Sequence, residues 1–186
     1  MNIKATFYSS FTRILYFFVY PFVKFLDRTV TYPSLLVYNI LRCEGYSKEL
    51  AIAIVRQSQL ESGNYTSSLF KNANNLFGMK KPRIRKTLSN EGSYLLPEGE
   101  FATFDTLAES VLDRVLWDQY FKINIDLSVL DYLVEVQSKG YAEDPNYIKK
   151  VLSVSPLLDF RLSIFVTAFY AGFALISILI ARSRAN

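Results

Sequence analysis

The chain has no histidine and one cysteine, so its chemistry falls to carboxylates, tyrosines, lysines and hydroxyls. Ser-His and Cys-His nucleophilic catalysis and His-ligated zinc are excluded, and Cys43 alone builds neither a disulfide nor a thiolate metal site. Cys43 reads as a small apolar helix residue. Glu61 is the first candidate for proton transfer. It lies seven and eleven residues after Ile54 and Leu50, which places it on their apolar helix stripe. It also ends its helix, where the dipole is negative. Burial and the dipole end both disfavour the carboxylate, which is how a general acid is tuned towards neutral pH. A general acid of this kind often works with a second group that activates water or stabilises a cationic transition state. Glu91, Glu98 and Glu100 are the carboxylates close enough in sequence to arch over the end of that helix.

The elements that must position these groups can be read from their caps. Pro33 opens a helix over Leu35 to Cys43, closed by Gly45. Ser47 caps the next helix, with Glu49 in its first turn, and that helix runs to Glu61 before Gly63 stops it. A loop is expected from Ser62 to Pro82. Weak alternation from Ile84 to Thr103, around Asn90-Glu91-Gly92 and Pro97-Glu98-Gly99, fits two short strands or an irregular hairpin. Thr106-Leu107-Ala108-Glu109 is a capping box opening a helix with Leu107, Val111 and Val115 on one face. Ser128 opens another, with Val129, Leu130, Leu133 and Val134 apolar, ending at Gly140. Asp144-Pro145 reads as N-cap and first residue of a last helix, Asn146 to Leu152. The expected fold class is therefore α+β, mostly helical with a small β-hairpin element.

Composition adds a membrane. The 186 residues are 51% hydrophobic and 20% charged, with mean hydropathy +0.14. Residues 162–181 form a run of 20 without a charge, with Arg161 before it and Arg182 and Arg184 after it. At 1.5 Å per residue that is about 30 Å of helix, the thickness of a bilayer core. A C-terminal transmembrane helix is expected there. Near the N-terminus Arg13 and Lys24 enclose ten uncharged residues interrupted by Pro21, too short to span and read as an interfacial helix. The expected organisation is a membrane-interfacial segment over 1–31, a catalytic domain over 32–156, and a transmembrane helix with a short basic tail over 157–186. The net charge of +4 is modest. The run Lys80-Lys81-Pro82-Arg83-Ile84-Arg85-Lys86 suits an anionic polymer or lipid headgroups, and no nucleic-acid motif surrounds it.

Three segments carry a family resemblance. LESGNYTSSLFKNANNLFGMK, FATFDTLAESVLDRVLW and GYAEDPNYIKKVL follow one another in the order of the glucosaminidase family's signatures. The resemblance covers Tyr32 to Val154. That family's domain occurs in autolysins, the flagellar peptidoglycan hydrolase and phage lysins. The resemblance implies a lysozyme-like fold that cleaves the glycan strand of peptidoglycan, with no metal or organic cofactor. Glu61 matches the family's catalytic acid. Asn75, Phe77 and Gly78 match a turn beside the cleft, giving Asn75 and Phe77 as substrate-binding candidates. Tyr141 matches a tyrosine near the reacting sugar, and Tyr147 a second one, structural or sugar-stacking. The family's Y-A-T is Y-A-Glu143 here, which adds a carboxylate near the site. The usual T-T-E of the β segment is missing, and Glu91 in KTLSNEG takes the nearest equivalent place, ahead of Glu98 and Glu100.

The sequence thus points to a membrane-anchored peptidoglycan hydrolase cutting β-1,4 bonds, with Glu61, Glu91 and Tyr141 as catalytic candidates. The expected partners are the glycan strand and a lipid membrane, and not nucleic acid. The chain is compact and without wall-binding repeats, which leans towards a phage lysin on a virion membrane over a bacterial inner-membrane protein. Two alternatives share these residues: a lytic transglycosylase on the same substrate, and a non-catalytic structural or wall-docking protein of a virion membrane.

Overall fold

A computed structural model of the protein describes residues 33–158. The expected transmembrane run 162–181 and the N-terminal apolar segment lie outside the described residues. Among the described residues no helix is long and apolar enough to cross a membrane.

Six helices and one hairpin make the described fold, an α+β arrangement. Helix α1 is Pro33–Cys43 and α2 is Lys48–Glu61. The Ser47 hydroxyl accepts from the Leu50 amide, so α2 begins where its cap directs. Helix α3, Ser68–Ala73, interrupts what reads in sequence as a loop. Strands β1, Ser93–Leu96, and β2, Gly99–Ala102, pair antiparallel from Ser93↔Ala102 to Leu96↔Gly99. Helix α4 is Leu107–Phe121, opened by the full Thr106–Glu109 capping box. Helix α5 is Val129–Ser138 and α6 is Tyr147–Ser153. Helix α1 packs on α2 and α4, while α5 and α6 pack on each other and on α2.

Four details differ from the expectations. The hairpin turns at Pro97-Glu98, and Asn90-Glu91-Gly92 precedes β1 instead. On α5 the buried side chains are Tyr132, Leu133 and Val136, whereas Leu130 and Val134 are 55% and 50% exposed. Tyr132 displaces them because its hydroxyl is bonded in the core, donating to Asp118 at 2.7 Å. Asp144 is not the N-cap of the last helix. That place belongs to Asn146, and Asp144 accepts from the Asn146 amide at 2.9 Å and pairs with Lys150 at 2.5 Å. Cys43 is exposed at the end of α1 and not part of an apolar face.

The core lies between α1, α2 and α4, with Val37, Leu41, Ile54, Val55, Val111 and Val115 all buried. Helix α4 also carries three buried charges. Arg114 pairs with Asp118 one turn on, and Asp113 takes Arg85 at 2.6 Å. Asp113 also accepts from the Thr87 hydroxyl at 2.7 Å and the Leu88 amide at 2.9 Å, so it ties down the loop before the hairpin.

Candidate active site

The turn after Glu61 explains why its neighbours are serine, glycine and tyrosine. Gly63, Asn64 and Tyr65 all have positive φ, at +58°, +54° and +63°. Left-handed backbone costs a non-glycine residue about 1–2 kcal/mol, so the surroundings must hold it. The Ser62 hydroxyl donates to the Ser58 carbonyl at 2.5 Å and accepts from the Tyr65 amide at 3.0 Å. The Tyr65 hydroxyl bonds Ser34 at 2.8 Å and Ser58 at 3.0 Å. This turn reverses the chain sharply and leaves Glu61 at the end of α2.

The Glu61 carboxyl is enclosed on several sides. Tyr147 hydrogen-bonds it, and the Tyr147 hydroxyl in turn accepts from Gln57 Nε2 at 3.2 Å. Gly78, at φ +61°, lies so close that a Cβ there would come within 3.2 Å of Glu61 Oε2. Burial raises the carboxyl above the usual glutamate range, while the Tyr147 bond and the Arg114 charge pull it partly back. The net rise keeps a proton available for donation. Burial also pushes the Tyr147 phenol up, so it remains a neutral donor.

Tyr141 is half-buried and joins this cluster from the segment before α6. Its hydroxyl donates to the Phe77 carbonyl at 3.0 Å. Its ring meets Trp117 edge-on at 5.3 Å and Tyr147 at 6.0 Å. The Arg114 guanidinium lies 4.9 Å from the Trp117 ring centre and 4.8 Å from that of Tyr141. Tyr132 accepts from Arg114 at 3.0 Å, and Tyr46 donates to Asp118 at 2.7 Å. A desolvated network, paired at every polar side-chain atom named here but with the Arg114 Nε left without a hydrogen-bond partner, therefore stands behind Tyr141.

The structure brings Glu61, Tyr141 and Tyr147 together and gives two expected substrate contacts another role. Asn75 is 1% exposed and its amide is fully engaged. It donates to the Met79 and Ala102 carbonyls at 2.8 and 2.9 Å and accepts from the Phe77 and Met79 amides at 3.3 and 3.0 Å. Phe77 is 2% exposed. Both position the turn that carries Gly78, and neither is open to a substrate. Tyr147, at 4% exposure, is likewise enclosed and bonds Glu61 instead of offering a face to a sugar. Glu143 is exposed.

Glu91, Glu98 and Glu100 are all exposed on the hairpin side. Residues 79–81 run along the free edge of β2: the Ala102 amide donates to the Met79 carbonyl at 2.9 Å and the Lys81 amide to the Glu100 carbonyl at 3.1 Å. Gly78 thus faces the level of Thr103, and Thr103 reaches the loop around Glu91. Its carbonyl accepts from the Asn90 amide at 2.8 Å and its hydroxyl donates to the Gly92 carbonyl at 3.3 Å. Thr103 therefore stands between the strand that follows Gly78 and the loop that carries Glu91. Glu100 sits farther up the hairpin and Glu98 at its tip.

Sequence reading missed Arg114, Asp118 and Gln57, and assigned Lys81 and Arg85 to an exposed basic run. Arg85 is spent on Asp113 and Lys81 on backbone carbonyls. The Arg114–Asp118 spacing of four was a visible signal.

A family model described as mannosyl-glycoprotein endo-beta-N-acetylglucosaminidase matches residues 39–157. The chain belongs to the glucosaminidase family. By that membership it is a glycoside hydrolase, and the three-motif resemblance holds. No curated protein matches this glucosaminidase. Among solved structures it is similar to the catalytic domain of the autolysin Auto from Listeria monocytogenes, at 18% identity and TM-score 0.45, over 64% of this chain and 76% of that one. Among the described residues no cluster of three His, Cys, Asp or Glu side chains could hold a metal ion.

Proposed function

We propose that this glucosaminidase hydrolyses β-1,4 bonds in the glycan strand of peptidoglycan while anchored to a membrane, with Glu61 as general acid. The observation that carries the reading is the Glu61 carboxyl itself: half-buried at a helix end, bonded by Tyr147, pressed against Gly78 and raised in pKa by desolvation. Such a group holds its proton to higher pH than a solvated glutamate does and can deliver it to a leaving glycosidic oxygen. Tyr141 lines the same cluster, and its role is to hold the cleft wall beside the reacting sugar. Glu91 is the second carboxylate. What supports this choice is its place in the loop before β1, held by Thr103 on the hairpin side of the site.

Peptidoglycan is preferred to other β-1,4-linked N-acetylglucosamine polymers because the three motifs resemble those of autolysins and lysins in that order. The membrane anchor rests on the uncharged run 162–181 with arginines at both ends. A phage particle with a lipid membrane is one carrier that fits an anchored hydrolase.

Glu61→Gln, assayed for clearing of purified peptidoglycan and by zymography, is the test. The amide keeps the shape and cannot donate the proton, so the rate should fall by about 10² to 10⁴. Retention of more than half the activity by a folded variant would remove Glu61 from the mechanism.

A lytic transglycosylase is the second reading. It is favoured by the surroundings of Glu61, where, among the described residues, the groups bearing on its proton are Tyr147 and Arg114. Mass spectrometry of the released fragments separates the two. Reducing N-acetylglucosamine ends support hydrolysis, and anhydro-muramic ends support the transglycosylase.

A further inference from the structure

Lys81 is bound at both ends. Its backbone amide donates to the Glu100 carbonyl at 3.1 Å, which fixes it to the edge of β2. Its ammonium meets three consecutive carbonyls: Asn90 at 2.5 Å, Glu91, and Gly92 at 3.0 Å. An ammonium has three N–H donors, and here each has an acceptor. The bonds are charge-assisted and stronger than neutral ones. The loop from 81 to 92 is therefore closed by a side chain acting as a cross-tie.

That tie lies on the short path between the two carboxylates. Glu61 presses on Gly78, and three residues of extended chain lead from Gly78 to Lys81. Lys81 then grips the Glu91 peptide itself. The other ties of this loop act elsewhere: Asn90 and Gly92 are held by Thr103, and Arg85, Thr87 and Leu88 by Asp113. Glu91 sits between the residues that Thr103 holds, and its own carbonyl is held by Lys81.

We propose that Lys81 is a positioning residue that sets where the Glu91 carboxylate stands across the cleft from Glu61. The inference rests on Glu91 being the second carboxylate. It assigns the half-buried Lys81 ammonium to three backbone carbonyls of its own loop instead of to an anionic ligand.

The experiment is a double-mutant cycle on full-length protein with purified peptidoglycan, using Lys81→Met, Glu91→Gln and the double variant. Lys81→Met should lower kcat about tenfold with KM nearly unchanged, because the Thr103 and Asp113 ties keep the loop folded. Lys81→Arg should restore part of the loss by replacing the donors. The double variant should be no slower than Glu91→Gln alone, since a tie to an absent carboxylate has nothing left to position. Losses that multiply in the double variant, or full activity in Lys81→Met beside an impaired Glu91→Gln, would overturn the role of Lys81 and leave Glu91 standing. Full activity in Glu91→Gln would overturn the choice of Glu91, and the proposal with it. If Lys81→Met does not fold, Lys81→Arg and Lys81→Gln carry the comparison, and equal kcat in those two overturns the proposal.

Discussion

Gly78 offers a way to move the Glu61 carboxyl without changing its chemistry. Alanine at this position brings two separable costs. The first is conformational, since φ is +61° and a Cβ in left-handed backbone costs about 1–2 kcal/mol of stability. The second is local, since the new Cβ would stand 3.2 Å from Glu61 Oε2 and the carboxyl must give way by a few tenths of an ångström. A displacement of about 1 Å in a catalytic constellation costs about 10² in rate. A third of that displacement scales to a loss of about three- to tenfold in kcat. Gly45→Ala is the control, because Gly45 also has positive φ, at +93°, with nothing within 4 Å of its Cβ position. Both variants are measured by urea denaturation for stability and by initial rates of peptidoglycan cleavage well below their melting temperatures. Similar destabilisation in both, with a rate loss confined to Gly78→Ala, supports the reasoning. Equal rates in the two variants would show that the packing of Glu61 against Gly78 does not set turnover.

Three further outcomes are expected. Activity should fall as pH rises through the Glu61 pKa, which burial holds above the ordinary 4.5, and a pH–rate profile with Glu61→Gln as blank measures that limb. A raised carboxyl contributes stability that is present below the unfolded value and lost as pH rises through the folded one, so Glu61→Gln should gain stability over wild type towards neutral pH. Arg85→Met should cost about 3 kcal/mol in urea denaturation because it strands the buried Asp113, whereas Lys150→Ala, from the exposed pair with Asp144, should leave the denaturation midpoint close to that of wild type. Deleting residues 162–186 should release the protein from membranes in a carbonate wash while cleavage of soluble glycan survives, and tight retention of the truncated chain would place the anchor elsewhere.

What was legible in the sequence was local. The Ser47 cap, the Thr106–Glu109 box and the Gly63 stop each act within one turn, so they fix α2 and α4 almost to the residue. Glu61 was also legible, because helical spacing from Leu50 and Ile54 is enough to put it on the buried side of a helix end. Helix α3 was not, although Ser67 caps it by accepting from the Phe70 amide, because six residues are too few to show a period. The larger failures involve polar groups whose place is decided by partners far away in sequence. Apolar patterning assigns a charge to the surface, since an unpaired buried charge is costly. Arg114 is nevertheless fully buried, because Asp118, Tyr132 and the rings of Trp117 and Tyr141 together replace its water.

The same pairing makes the site's positioning shell hard to read from composition. Lys81, Arg85 and Arg114 are three cations that a charge count treats alike, yet one closes a loop, one pins it and one backs a tyrosine. Each is held by groups that only the fold brings near. Glu61, by contrast, is placed by its own helix, and its perturbation needs nothing beyond burial. The acid of a lone helix-end glutamate can therefore be inferred from one segment, whereas the geometry that makes it useful depends on residues 78, 114, 141 and 147 meeting around it. Variants of that second group should lower turnover by displacement, leaving the identity of the acid and the direction of its pH dependence unchanged, and this separates them from Glu61→Gln in a single set of pH–rate profiles.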